Sequence, residues 1–409
     1  MRDSRMAWLL CCGSLLASGS PSASASPLPA AAFPTPAPAG FAIALSDVHQ
    51  ADVQPHFAFD VHGNSILVWT RWNDTEMASD VVAEQADAHG VPRGAVFQVN
   101  THTPSYQAYP AVAINARGRC VIAWQSLGQD GQISGIYAQI YTAAGARFGG
   151  EITVSSVFPQ QSSNQPTVGI DRAGNFAVAW WNAESAFVRL FDARGVARGP
   201  EARLSPAPVA SNPSLVMRPD GTFAVVWRSW QQTGPGVQIF GRFFDAAGAP
   251  LGKEFQIDAS LIPGAGNPAA AAMPDSGLVA AWDSCDFQHP EKGCGVRVRR
   301  FSAKGVPLSG ELAASPHDSR VHFFPAVAAD SLGNFGVSWD NCLESGPQLY
   351  DCGISIRFYD PQARPAPQTW TLRDAQGDLF DATITAQPGG FVVGLSTSSG
   401  VYGWNFLFM

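Results

Sequence analysis

Apolar residues gather in short alternating or continuous runs along the whole chain, and the runs recur. The clearest mark is a tryptophan closing such a run, at Trp69, Trp124, Trp180, Trp227, Trp282 and Trp339. Successive spacings are 55, 56, 47, 55 and 57 residues, and Leu395, which closes the run Gly389–Leu395, follows 56 residues after Trp339. Such a period signals a repeat architecture, in which each unit buries its faces against its neighbours. A proline stands 14 residues before each tryptophan (Pro55, Pro110, Pro166, Pro213, Pro268, Pro325), and Asp381 stands 14 before Leu395. Proline suits the first position of a strand, where its missing N–H costs no ladder bond.

Each proline leads into a short apolar run such as Ala111–Ile114, then a Gly/Asn/Asp turn such as Asp171–Asn175, then the strand that ends in tryptophan. That pattern predicts two antiparallel strands joined by a tight turn. In the second strand, positions on both faces are apolar or small (Phe176, Ala177, Val178, Ala179), so both faces should be covered. A third strand ends in an aromatic residue and a turn (Phe191–Gly195, Phe244–Gly248), and a fourth is shorter (Phe97–Asn100, Ile152–Ser155, Phe255–Asp258). Four antiparallel strands per unit are the blade of a β-propeller, so the expected fold is all-β with seven blades. The seventh unit runs out after three strands, and Phe41–Ser46 matches the missing fourth; pairing the two would close the ring and remove a sheet edge.

The segments Asp220–Trp227 (DGTFAVVW) and Phe244–Gly252 (FDAAGAPLG) resemble the tryptophan-bearing propeller repeats found in tandem in large secreted or cell-surface bacterial proteins. The resemblance covers residues 41–409 and implies a propeller in a secreted protein. It implies no activity. An outer-membrane barrel is the alternative, but its strands should alternate lipid-facing apolar with polar lumen residues over about ten positions, and these are shorter and apolar on both faces.

The N-terminus fits secretion. Arg2 and Arg5 precede the apolar run Met6–Ala17, and Ala23-Ser24-Ala25 supplies a cleavage pattern, so residues 1–25 read as a signal peptide. Leu9 and Leu10 before Cys11 lack the small residues that lipidation needs. Residues 26–40, rich in proline and alanine and without charge, read as a linker, with the propeller from 41 to 409. Lys253, Lys292 and Lys304 are the lysines, and the net charge is −8, so no basic stripe follows a phosphate backbone and nucleic acid is excluded as a partner.

Cys285 and Cys342 each lie three residues after their tryptophan, with Cys294 and Cys352 across the next loop at separations of 9 and 10. The shared register predicts two hairpin disulfides, suited to an oxidising compartment; a zinc site would need histidines at ligand spacing. Cys120 takes the place of Phe176 or Phe223 in other units and should be a buried core thiol.

The first–second and third–fourth turns are short and repetitive, whereas the interval from tryptophan to the third-strand glycine, or its equivalent Ala363, varies from 15 to 24 residues. Divergent loops carry function, so their end is the expected binding face. It holds Trp72, Trp181 and Trp230 beyond three anchors, with Tyr106, Tyr109, His322 and Phe323 on links. Exposed aromatics beside polar partners suit sugar rings; packing between blades is the alternative. Asp283 and Asp340 directly follow adjacent anchors, with Asp286, Glu291, Glu344, Asp378 and Asp381 nearby. That acidic sector admits a calcium site or a carboxylate pair for glycoside hydrolysis, or simply a solvated rim; with no D-x-D-x-D-G loop, no cofactor is expected. No nucleophile elbow, zincin helix or phosphate loop is present. The expectation is a secreted binding or adhesion module for a glycan or cell-surface protein, using Trp72, Tyr106, Trp181, Trp230, His322, Asp283 and Asp340. The alternatives are a carbohydrate-active enzyme using Asp283 and Asp340, or a propeller that only docks proteins.

Overall fold

A computed structural model describes residues 37–41, 52–73, 77–129, 133–155, 163–183, 185–206, 210–230, 236–259, 264–285, 294–316, 318, 320–346, 349–374, 378–397 and 400–407. The expected signal peptide and most of the linker lie outside these residues. The described residues form an all-β chain without an α-helix, and none of their segments is a helix long and apolar enough to cross a membrane.

The unit is an antiparallel meander of four strands, as in Gln107–Ile114, Cys120–Leu127, Ser134–Tyr141 and Arg147–Thr153. The same order recurs in the sheets that begin at Asp52, Asn164 and Val321. Two further meanders, beginning at Ala210 and Gly264, count as one sheet only through a single parallel bridge, Val237 to Gly264. The last sheet comprises Phe380–Gln387, Gly390–Thr397 and Gly400–Leu407, and its fourth strand is Ala37–Phe41 from the other end of the chain. The N-terminal strand therefore sits at Ala37–Phe41 and not at Phe41–Ser46, whose remaining residues are outside the described ones, and the sheet reaches back into the proline-rich segment. An edge strand with a register shift between Pro38 and Gly40 tolerates that proline, because one side of it carries no ladder.

Second strands are covered on both faces, as their composition predicts. Phe176, Val178 and Trp180 pack with Val121, Ala123 and Ala138 of the preceding sheet, while Ala177 and Ala179 pack with Phe223, Val225 and Trp227 of the following one. Large side chains on one face meet small ones on the next, which lets sheets stack face to face; this is the architecture of a β-propeller. All six anchor tryptophans are fully buried. Cys120 is a buried free thiol, pushed up to about 12 by desolvation, and so an inert core residue.

Most short turns owe their shape to an Asp or Asn side chain, with Thr142 and Ser302 supplying a hydroxyl in two others. Asp60 Oδ1 accepts the backbone N–H groups of His62 and Asn64, both at 2.9 Å, and Gly63 sits at φ 85°. Asp330 repeats this with Leu332 and Asn334 beside Gly333 at φ 87°. The left-handed turn position costs glycine nothing.

Four of the fourth strands, at Phe97, Ala202, Phe255 and Leu312, are only two residues long, whereas Arg147–Thr153 and Pro365–Leu372 run longer; in several sheets the polar residue ending the segment turns inward. Asn100 Oδ1, Ser155 Oγ, Asp258 Oδ1 and Ser315 Oγ accept the N–H of Val81, Ile136, Ile239 and Val296 at 2.8, 3.0, 3.0 and 2.9 Å. Asp258 does so at a cost: burial pushes its carboxyl up to about 6 from an ordinary 3.8, against the hydrogen bonds to Ile239 and Gln256. Its folded form holds a proton more readily than its unfolded form, so stability falls as pH rises between those two values and stays lower above them. Asn100 shows that an amide can do the same job. Asp258→Asn is therefore expected to stabilise the protein by about 2 kcal/mol at pH 8 and not at pH 3.5. Urea midpoints at the two pH values test this, and an unchanged midpoint at pH 8 would refute it.

Candidate functional site

At the end of the sheets opposite the short turns, every first strand carries a bulge in which two residues oppose the single anchor residue of the second strand. Gln54-Pro55 face Trp69, and Asn267-Pro268 face Trp282, as the register breaks require. The residue before each proline takes positive φ: Gln54 59°, Tyr109 53°, Gln165 45°, Asn212 48°, Asn267 32° and Phe324 49°. Asp381, at φ 59°, belongs to this set. It matches Gln54, and Ala382 takes the proline's place. The sequence count of 14 aligned Asp381 with the prolines because the turn of the last unit, through Gly389, is one residue shorter.

A left-handed conformation outside glycine costs of order 1 kcal/mol per residue, so its repetition requires partners that fix it. They come from adjacent sheets. Asp381 Oδ2 accepts the Gln54 N–H at 3.0 Å, Gln54 Oε1 the Tyr109 N–H at 3.0 Å, and Gln125 Oε1 the Gln165 N–H at 3.3 Å. Asp283 Oδ2 accepts from Phe324 N at 3.0 Å and from Asn267 Nδ2 at 2.8 Å, while Asn212 Nδ2 donates to Asn267 Oδ1 at 3.0 Å. Ala382, free to donate where the other units have proline, gives its N–H to Asp340 Oδ1 at 3.0 Å.

These bonds assign Asp283 and Asp340 a role different from the expected one. Asp283 is 5% and Asp340 1% exposed, and each carboxylate latches its sheet to the next. Burial raises the Asp283 carboxyl above the usual range, with its hydrogen bonds and Arg228 opposing. Neither presents an open carboxylate to a ligand, and the carboxylate pair for hydrolysis is not formed at the surface. Asp378 is likewise engaged, accepting the Cys352 N–H at 2.9 Å. Asp286 and Glu291 lie outside the described residues, as does the side chain of Glu344.

His322 is also withdrawn from the surface, at 1% exposed. Its Nδ1 accepts the indole N–H of Trp339 at 3.0 Å, so the proton resides on Nε2, which donates to Asp318 Oδ1 at 3.0 Å. Burial lowers its pKa, with Asp318 opposing, in keeping with this neutral tautomer. It is a structural link between an anchor and a loop.

The four expected aromatics remain accessible in part. Trp72 and Tyr106 form a tilted pair with centroids 5.2 Å apart, Trp181 donates its indole N–H to Gln165 Oε1 at 3.3 Å, and Trp230 is 42% exposed under the Arg228 guanidinium, 5.5 Å from the ring centroid. Phe323 stacks edge-on with Phe324. The two disulfides, Cys285–Cys294 and Cys342–Cys352, join directly opposite residues of second and third strands at this same end. Among the described residues no group of three or more His, Cys, Asp or Glu could hold a metal ion. The spacing gives no hint of the bulge, and of its residues only Tyr109 and Asp381 stand among those the sequence singles out, although each non-terminal one is marked as the neighbour preceding the repeat proline.

No protein-family model matches the sequence, and no curated protein does. The fold is similar to that of several solved structures. A protein of unknown function from Dyadobacter fermentans aligns at 14% identity and TM-score 0.52, over 79% of this chain and 99% of that one. The α-L-arabinofuranosidase Arb93A from Fusarium graminearum, solved with an iminosugar inhibitor, aligns at 10% and 0.52 over 79% and 98%. The polysaccharide lyase Uly1 aligns at 9% and 0.52 over 89% and 91%.

Proposed function

We propose that this chain is a secreted seven-bladed propeller that binds a glycan at the end bearing the bulges. In this reading the ring closes where the last sheet meets the first. Thr385 Oγ1 donates to Phe57 O at 3.0 Å, Trp69 packs with Val392 and Val401, and Ala37–Phe41 completes the last blade. The first strand of each sheet lies against that of the next, and Phe380–Gln387 against Asp52–Phe59. The seven bulge residues then surround the mouth of the axial channel.

The observation that carries the binding reading is the composition of that rim. Gln54, Gln165, Asn212, Asn267 and Asp381 line it with amides and a carboxylate, part of whose polar atoms hold the bulges and the rest of which can meet hydroxyls, and Tyr109 and Phe324 supply apolar faces, with Trp72, Tyr106, Trp181 and Trp230 outside them. Planar amides and aromatic faces without a cationic member suit a neutral sugar ring. Two of the similar folds belong to proteins whose names specify arabinofuranosidase and polysaccharide lyase, which supports a glycan as ligand; a cell-surface protein is the second partner class. Burial of Asp283 and Asp340 favours binding over hydrolysis. Secretion is supported by the two disulfides.

The test is a broad glycan array followed by titration of any hit. Trp230→Ala is expected to weaken binding about tenfold, the loss of one stacking contact. A blank array with folded, disulfide-bonded protein would overturn the proposal.

A further inference from the structure

A concavity lies at the other end of the sheets, among the short turns. It encloses about 670 Å³ and is lined by Arg117, Arg172 and Arg198, with Asp171, Asn175 and Asp220. That is the size of an ordinary small-ligand cleft, roughly 300–1,000 Å³. The charge balance of its wall is unusual for this end of the molecule. Elsewhere among the turns, arginines are spent internally: Arg194 pairs with Asp192 at 3.2 Å, Arg364 with Asp360, Arg300 with Asp275, and Arg218 donates to Gly277 O at 3.0 Å. The exposed guanidiniums of Arg117 and Arg172 make no hydrogen bond or ion pair among the described residues. Arg198 gives only Nη1, to Ala246 O at 2.8 Å.

The acids in the same wall accept from neutral donors within their own turns and do not pair with these guanidiniums. Asp171 is 7% exposed and accepts from Asn175 N at 2.8 Å and Asn175 Nδ2 at 2.7 Å. Asp220 accepts the Thr222 N–H at 2.9 Å and its hydroxyl at 2.6 Å. The concavity thus presents three guanidinium forks with unused donors on a chain of net charge −8. Arg117 also lines a smaller neighbouring cavity of about 230 Å³ with Arg93 and His62, so the donors extend along the turns.

We infer that this concavity is a second binding site, for a ligand that bears carboxylates, with an acidic oligosaccharide as the probe. Guanidinium forks match planar carboxylates two bonds at a time. The chain holds too few cations here to follow a nucleic-acid backbone, whose binding scales with the number of phosphates neutralised. The site is independent of the bulge rim and stands if that rim binds nothing.

The experiment titrates the full chain with an oligogalacturonide, the same oligomer fully methyl-esterified, a sulfated oligosaccharide of equal length, and a DNA duplex. Binding of the oligogalacturonide is expected, weakened at least tenfold by the double variant Arg117→Gln/Arg172→Gln and lost on esterification. Both substituted side chains are exposed and unbonded, so folding should be retained, which circular dichroism checks. Equal binding of the esterified oligomer, no effect of the double variant, tighter binding of the sulfated oligomer or the duplex, or no binding of the oligogalacturonide would each overturn the inference.

Discussion

Asp283→Leu is expected to lower folding stability by about 3 kcal/mol, whereas Asp283→Asn should stay within about 1 kcal/mol of the parent. The difference isolates what the carboxylate does. Its Oδ2 receives two donors from the neighbouring structure, the Phe324 N–H at 3.0 Å and the Asn267 amide at 2.8 Å. Leucine fills a similar volume and removes the burial penalty that raises the Asp283 pKa, yet it leaves both donors without this acceptor; each such loss costs about 1–3 kcal/mol. Asparagine keeps one oxygen for them and gives up only the charge. Urea unfolding gives both values. A leucine variant as stable as the parent would mean that the latch contributes nothing, and loss of a polysaccharide-degrading activity in the folded asparagine variant would restore the enzymatic reading that burial of this residue argues against.

The case of Asp283 also marks where sequence reasoning stops. Strand pairs, short turns and both disulfides are legible because they rest on local rules: period-two burial, an Asx turn with glycine at positive φ, and cysteines in a shared register. The constant spacing of proline and tryptophan was legible too, but its cause was not. It is a bulge in which the proline and its neighbour oppose the tryptophan, and the neighbour's left-handed conformation is held from the adjacent sheet. An aspartate just after an anchor therefore reads as loop-end chemistry in the sequence and becomes an acceptor for a backbone N–H 41 residues away. His322 follows the same logic, since only the fold brings it to the Trp339 indole. The end of the sheets on which the aromatics lie follows from the antiparallel order of the strands, whereas the arginine-lined concavity gave no signal, because Arg117, Arg172 and Arg198 come from turns of different units that only the fold brings together.

Removing both disulfides should have the larger effect, about 5 kcal/mol in total. Cross-links spanning 9 and 10 residues each restrict the unfolded chain by about 2.5 kcal/mol in the loop-entropy treatment. They lie in two successive sheets and share no partner, so their contributions should add. The loss should be local in its first consequence: Cys285 faces Cys294 at the last described pair of its hairpin, and Cys342 faces Cys352 near the end of the other, with only Leu343–Asp351, Glu344–Tyr350 and Gly346–Leu349 paired beyond it. Amide exchange should accelerate first around Ser284 and Asn341 in the quadruple Cys→Ser variant, before the anchors Trp282 and Trp339 respond. Cys120, buried and with its thiol pushed up to about 12, should neither exchange with the two bridges nor react until the chain unfolds. Unfolding midpoints of the single-bridge and double-bridge variants check the additivity. A double variant within about 1 kcal/mol of the parent would show that residual structure in the unfolded ensemble already restricts these short loops without the sulfur bridges.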